Sequence, residues 1–401
     1  MGIDIYIGTK SVRESNEFLR CLWAEMSKEF GKCGWHYAPY KDGQKQKIIF
    51  GFMDINQEKP LEVGVTYKEK GTINNIYFLY SHEGNEIVKG TELYNKLRKV
   101  IKVTKEGVGK LGLGIGNMAV HSYVPLRSYQ GNNFAIDAMV NGKTKISCVV
   151  KAYDENQSRG YLRQKVSQIA DFLSVETNAP FRSPKKPSMD EIISFQEESF
   201  QEDENFINDL SIKGDYLVIS KEGKKFIDKI TNIDQDLNPD LEIFLKACSH
   251  FHTARMQEEQ MMDVGGGIIY TILGGNKVEI ATTLYLSALE VVTLIGFTDE
   301  KCECCQQPKY QISSRVKQLT AKYLPKHLVK DFSDYYDKRS KYLHTGMKLV
   351  TETPTTSLVP LLDPDDKTGC DYPYKIPLEN VREYVSFCLR KFYRENLIES
   401  S

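Results

Sequence analysis

The stretch from residue 327 to 346, HLVKDFSDYYDKRSKYLHTG, has the spacing of an amphipathic helix. Its apolar stripe recurs every three or four residues and comprises Phe332, Tyr336, Arg339 and Leu343. Gly346 suits the end of this helix, because glycine adopts the left-handed conformation of a C-cap without strain. Similar stripes occupy 241–251, 280–295, 312–323 and the segment after Pro377. Residues 238–396 are therefore predicted to form an all-α bundle of five helices.

Residues 1–182 have a different pattern, in which strand-like runs outnumber helical ones. The runs lie at 48–53, 61–67, 73–80, 134–140 and 146–152, and helical spacing occurs at 15–30, 91–101 and 160–173. Strands with few helices between them favour antiparallel pairing. We therefore predict an α+β protein whose first domain is mixed α/β with a mainly antiparallel sheet.

The segment between these regions is predicted to be a connection. Residues 186–205 contain seven acids and one base, a net charge of −6 that is typical of a solvated linker. A short strand at 216–219 and a turn at 221–223 follow. The predicted domains are thus 1–182, an acidic linker with a small element at 183–237, and 238–396.

Composition limits the class of protein. The 401 residues carry 53 Lys and Arg against 54 Asp and Glu, and 41% are hydrophobic. This composition excludes a disordered chain and a polyanion binder that is basic throughout.

The most apolar segment, 282–298, is short and contains Glu290, so no membrane association is expected. Nine scattered cysteines and the absence of a signal peptide favour reduced thiols and a cytoplasmic location.

Arg339 stands where the stripe requires an apolar residue. A guanidinium on a core-facing stripe is costly unless it is paired or faces a cleft or a partner. His344 follows five residues later, which puts the two side chains about 140° apart on an ideal helix. An imidazole titrates near neutral pH. From spacing alone, an arginine that snorkels beside a bundle and a histidine that caps the helix explain the pair better than a catalytic site does.

The segment Tyr336-Asp337-Lys338-Arg339-Ser340-Lys341-Tyr342-Leu343-His344-Thr345-Gly346 resembles the signature helix of HEPN domains, and more narrowly that of the Apea-like HEPN group of bacterial proteins. The Ala288-Leu289-Glu290 stretch and the Ser313-Ser314-Arg315-Val316 segment also fit that group. The resemblance covers residues 238–396, about 40% of the chain.

This resemblance implies a metal-independent endoribonuclease that uses no cofactor and whose active site forms where two motif helices meet in a homodimer. Arg339 and His344 would be the catalytic pair. Histidine can accept the proton of the ribose 2′-OH or protonate the leaving oxygen, and arginine can hold the phosphate. The implied setting is anti-phage defence by abortive infection, in which a toxin cleaves RNA. A phage-derived or cellular trigger would act on residues 1–182.

Several residues are predicted to support this site. Ser340 follows the arginine, where nuclease members often carry Asn, Asp or His. The alternative is therefore a catalytically silent dimerisation or RNA-binding scaffold, with the function carried by the first domain. Glu290 and Tyr342 are further candidates near Arg339. Residues 301–350 carry eleven bases against four acids, a net +7, and their predicted RNA-binding members are Arg315, Lys330, Lys338 and Lys341.

Two weaker patterns remain. Cys302, Cys304 and Cys305 form half of a zinc site or a set of unpaired loop thiols, and no second pair follows at the usual spacing. Residues 107–112, GVGKLG, match the G-x-G-x-x-G pattern but lack a clear preceding strand, so a glycine loop is predicted.

Overall fold

The computed structural model describes residues 3–183, 212–262, 275–346 and 378–398, with gaps at 32, 43–44, 56–59, 70, 81–86, 140–142, 299, 302–303, 305–307 and 310. It also describes 361–362 and 370–371. The chain forms two compact units. Unit 1 comprises Met1–Leu113 with Lys151–Ser158, and unit 2 comprises Gly114–Val150 with Arg159–Ser401.

Unit 1 contains a five-stranded antiparallel sheet with the strand order β1-β5-β4-β3-β2. Its strands are β1 (Ile3–Tyr6), β2 (Cys33–Asp42), β3 (Lys45–Met53), β4 (Leu61–Glu69) and β5 (Thr72–Tyr80). Two helices, α1 (Val12–Phe30) and α2 (Glu92–Gly107), share a core with this sheet. The side chains of Ser11 and Thr91 cap the amino ends of these helices.

Unit 2 begins with a four-stranded sheet in the order β6-β9-β8-β7. Its strands are β6 (Gly112–His121), β7 (Tyr129–Gln130), β8 (Phe134–Ala138) and β9 (Lys143–Ala152). The β7–β8 and β8–β9 pairs are antiparallel. There follow the helix α3 (Glu155–Thr177), the hairpin β10 (Ile212–Lys213) and β11 (Tyr216–Leu217), and the helix α4 (Lys221–Thr231).

The remainder of unit 2 is helical apart from two short strand pairs. The helices are α5 (Pro239–Met262), α6 (Gly275–Val292), α7 (Ile312–Tyr323), α8 (Lys326–Thr345) and α9 (Leu378–Tyr393), which continues in a π-helical turn at Arg394–Ile398. The strand pairs are Glu300–Lys301 with Pro308–Lys309 and Leu361–Leu362 with Cys370–Asp371. The five predicted helices are thus present. The α+β class with antiparallel sheets is confirmed.

The boundary between the units differs from the predicted one at residue 182. The second sheet, α3 and the later helices bury one continuous core. Phe172 of α3 stacks on Phe226 with ring centroids 4.3 Å apart and meets the edge of Tyr393 at 5.2 Å. Residues 114–150 and 159–177 therefore belong with the helices, because their apolar side chains are buried in the same core.

Two local expectations are settled by backbone geometry. The turn predicted at 221–223 is wrong, because α4 begins at Lys221 and Ser220 caps it by accepting the Gly223 N–H at 3.0 Å. The glycine loop predicted at 107–112 lies between the end of α2 and the start of β6. A dinucleotide fingerprint has the opposite order, with a strand before the glycines and a helix after them.

The apolar segment 282–298 falls largely within α6, where Tyr285, Leu286 and Leu289 are fully buried in the core. Among the described residues, no helix has the length and apolar character needed to span a membrane.

A buried ionic network crosses the helical part of unit 2. The Glu258 carboxylate accepts hydrogen bonds from the Tyr285 hydroxyl at 2.6 Å and from the Arg382 guanidinium, and Arg255 lies 3.6 Å away. All four side chains lie in the core. The network neutralises buried charges whose desolvation would otherwise oppose folding. The apolar periodicity of the sequence gave no sign of it.

Candidate active site

The Arg339 guanidinium is held by two side chains of α6. Its Nη1 donates to Glu290 Oε1 at 2.6 Å and its Nη2 donates to Ser287 Oγ at 2.9 Å. The two charged side chains are only 13% and 18% exposed. Arg339 occupies an apolar stripe at low cost because its charge is neutralised within the same chain.

Tyr336 completes this arrangement from the preceding turn of α8. Its hydroxyl donates to the same Glu290 oxygen, and the Arg339 guanidinium lies 5.6 Å from the centre of its ring. Burial raises the pKa of Tyr336, and the neighbouring Glu290 raises it further. The phenol therefore stays protonated and remains a donor at neutral pH.

We call these four residues, Arg339, Glu290, Ser287 and Tyr336, the Arg339 cluster. His250 of α5 is half-buried and close enough for the charges of Glu290 and Arg339 to affect its pKa. Burial lowers the pKa of His250, Glu290 opposes that shift, and Arg339 reinforces it. Within the described part of the chain, its Nδ1 has no hydrogen-bond partner. A neutral imidazole is consistent with this setting.

His344 and Ser340 lie outside the Arg339 cluster. Both side chains are exposed, and among the described residues no hydrogen bond joins His344 to Arg339. The predicted helix end is confirmed, because Gly346 adopts a left-handed φ of 71° and donates to the Tyr342 carbonyl. The last turn of α8 therefore presents the imidazole to solvent.

The predicted apolar stripe of α8 is wrong at its end. Leu343 is 53% exposed, whereas Val329, Phe332 and Tyr335 are the buried residues of this helix. The stripe fails because α8 leaves the core in its last turn.

The predicted RNA-binding residues are in two environments. Lys330 and Lys341 are exposed and Lys338 is half-buried, all on α8. Arg315 of α7 instead stacks over the Phe297 ring, with its guanidinium 4.0 Å from the ring centre. Tyr342, a predicted supporting residue near Arg339, is half-buried. The α8 lysines are therefore better placed than Arg315 to meet a phosphate.

The described residues offer no clear set of metal ligands. No group of three His, Cys, Asp or Glu among the described residues has the geometry of a metal site. Cys304 is exposed, and Cys302 and Cys305 lie outside the described residues. Both ring nitrogens of His252 already have protein partners. Its Nδ1 lies 2.7 Å from Asp171 Oδ1, and its Nε2 lies 3.0 Å from the Phe181 carbonyl oxygen.

Sequence reasoning named Glu290 near Arg339 but did not place Ser287 or His250 there. Ser287 precedes Glu290 by three residues and so shares its helix face, a spacing visible in the sequence. His250 belongs to a separate helix, and its approach depends on how α5 packs against α6. No local pattern contains that information.

The Arg339–Glu290 pair is expected to stabilise unit 2 measurably. In a double-mutant cycle of Arg339→Ala and Glu290→Ala, we expect a coupling of roughly 1–3 kcal/mol in the free energy of urea unfolding. The matched control is the exposed Lys322–Glu395 pair, which has the same 2.6 Å separation. Its cycle should give at most about 1 kcal/mol. Equal coupling in both cycles would show that burial adds nothing to the Arg339 pair.

Comparisons with protein-family models, curated proteins and solved structures found no match to this chain. The HEPN resemblance therefore rests on the motif in α8 and on the helices around it, and it stays a prediction.

Proposed function

We propose that the chain is a metal-independent endoribonuclease of the HEPN type. The observation that carries this proposal is the Arg339 cluster, in which a guanidinium with low exposure is oriented by Glu290, Ser287 and Tyr336. His344 is exposed on the same helix. An oriented cation and a solvent-accessible imidazole are the two groups that cleavage by the ribose 2′-OH requires.

The chemistry follows from these two groups. The His344 imidazole takes the proton of the 2′-OH, and the resulting oxyanion attacks the adjacent phosphorus. The bond from phosphorus to the 5′-oxygen breaks, and the leaving oxygen acquires a proton from an imidazolium. Arg339 stabilises the negative charge that grows on the phosphoryl oxygens. The products are a 2′,3′-cyclic phosphate and a 5′-hydroxyl.

The proposed active site is formed by two copies of the chain. On an ideal helix Arg339 and His344 point about 140° apart. The two side chains of a single α8 therefore do not converge on one phosphate. A two-fold axis perpendicular to α8, between residues 339 and 344, would set Arg339 of one copy beside His344 of the other. In a bacterial cytoplasm, such an enzyme would arrest growth during phage infection by cleaving RNA, once a trigger acts on the amino-terminal region.

A second candidate function is favoured by a different observation. Glu290 and Ser287 already satisfy both terminal nitrogens of Arg339 within one chain, and Ser340 is exposed. An arginine used in this way can be purely structural. The helical part of unit 2 would then be a dimerisation or RNA-binding scaffold.

Cleavage of RNA in the presence of EDTA tests the first candidate. Purified full-length protein is incubated with total RNA and with a labelled oligoribonucleotide, at concentrations that span dimer formation. We expect fragments that carry a 5′-hydroxyl and a 2′,3′-cyclic phosphate. Cleavage that EDTA abolishes contradicts the mechanism. Intact RNA under all conditions, including incubation with lysate of phage-infected cells, favours the scaffold.

A further inference from the structure

The polar face of α2 in unit 1 is strongly basic. The sixteen residues of α2 contain five Lys and Arg against Glu92 and Glu106, a net charge of +3, and Lys110 follows the helix. This density exceeds that of residues 301–350, which carry the motif. A helix face of this kind attracts a polyanion at moderate salt.

A groove of about 540 Å³ lies beside this face. Its apolar part consists of Ile5 of β1 and Ile101 of α2, which are both buried. Its charged part comprises Arg98, Lys99, Lys102 and Lys105, with Glu106 as the one acid. Because β1 is an edge strand of the sheet, no further strand among the described residues closes this side.

The basic side chains of the groove differ in the contacts that they already make. Lys99 lies 3.1 Å from Glu29, and Lys105 donates to the Tyr6 carbonyl at 3.0 Å. Arg98 and Lys102 are exposed, and no ion pair or hydrogen bond to them occurs among the described residues. These two cations are one helical turn apart and point the same way.

The shape of the site indicates its ligand. Arg98, Lys102 and Lys105 form a row about 10 Å long on an α-helix, whereas a pocket for one phosphate group would cluster its cations. The groove is open, and its described lining contains no aromatic side chain on which a base could stack. Such a surface contacts the backbone and not the bases.

We propose that α2 of unit 1 binds the sugar–phosphate backbone of nucleic acid, without base specificity. Arg98 and Lys102 make the phosphate contacts, and the buried isoleucines form the floor against which the sugars lie. This activity goes beyond the proposed RNA cleavage and does not require it, because neither Arg339 nor His344 takes part.

Fluorescence anisotropy with labelled 20-nucleotide strands tests this proposal. A DNA strand is used with the wild-type protein, because DNA lacks the 2′-OH needed for cleavage, and an RNA strand is used with His344→Ala. For Arg98→Ala/Lys102→Ala we expect at least about tenfold weaker binding of both strands. The slope of log affinity against log salt should fall by about 0.7 per lost contact.

Two control proteins accompany this variant. Arg98→Lys/Lys102→Arg keeps the charges and should bind like wild type. Lys221→Ala/Lys246→Ala removes two exposed charges from unit 2 and should also bind like wild type. Unchanged affinity of Arg98→Ala/Lys102→Ala, or an equal loss in the unit 2 control, overturns the proposal. Displacement of the strand by an equimolar nucleoside triphosphate also overturns it, because it would indicate a mononucleotide site.

Discussion

The His344→Ala variant is expected to lose RNA cleavage by a factor of about 10² to 10⁴, the usual contribution of a positioned acid or base. His344 is exposed in the last turn of α8, where its side chain is not part of the core. The substitution should therefore leave the far-ultraviolet circular dichroism and the thermal unfolding of the protein unchanged. Initial rates are measured in EDTA with a labelled oligoribonucleotide.

His327→Ala is the matched control for this variant. His327 is also exposed, lies at the start of the same helix and undergoes the same change of side chain. It should cleave RNA at the wild-type rate. If His327→Ala and His344→Ala lose activity equally, the effect belongs to the surface of α8 as a whole and the assignment of His344 fails.

The Glu258→Ala variant is expected to lower the free energy of unfolding by about 3–5 kcal/mol, which is the usual cost of breaking a buried pair. Its partners Arg382 and Arg255 stay buried, with side chains 5% and 4% exposed, and lose the carboxylate that compensates their charges. Urea unfolding followed by circular dichroism at 222 nm measures this loss.

Glu242→Ala supplies the comparison for Glu258→Ala. Glu242 is an exposed glutamate of the same helix, α5, and its replacement should change the unfolding free energy by less than about 0.5 kcal/mol. A loss below about 1 kcal/mol for Glu258→Ala would show that the buried network contributes little. Burial of the apolar helix faces alone would then account for the stability of the bundle.

The helices were predictable because their signals are local. The segment around Phe332 has helical spacing, and Gly346 ends α8 as its conformational freedom predicts. The strands at 61–67 and 73–80 were likewise found within a few residues of β4 and β5. Periodicity and capping act over a few residues, so one sequence contains all the information they need.

The division into units could not be predicted because it depends on distant contacts. The acidic segment after residue 183 looks like a domain boundary, yet Phe172 before it packs on Phe226 and Tyr393 after it. Likewise, the motif pointed to Arg339, but His250 comes within range of its charge only through the packing of α5. Tertiary packing overrides a compositional break when apolar surfaces match across it.

The carboxylate of Glu176 has a consequence for how the protein is made. Glu176 is fully buried and accepts hydrogen bonds from the Ser220 backbone N–H at 3.0 Å and the Tyr393 hydroxyl at 2.8 Å, with Arg394 at 3.2 Å. Tyr393 and Arg394 follow Glu176 by more than two hundred positions in the chain. During synthesis this carboxylate therefore lacks both partners until the whole intervening segment has been made. The core of unit 2 around Glu176 cannot reach its final packing before that point.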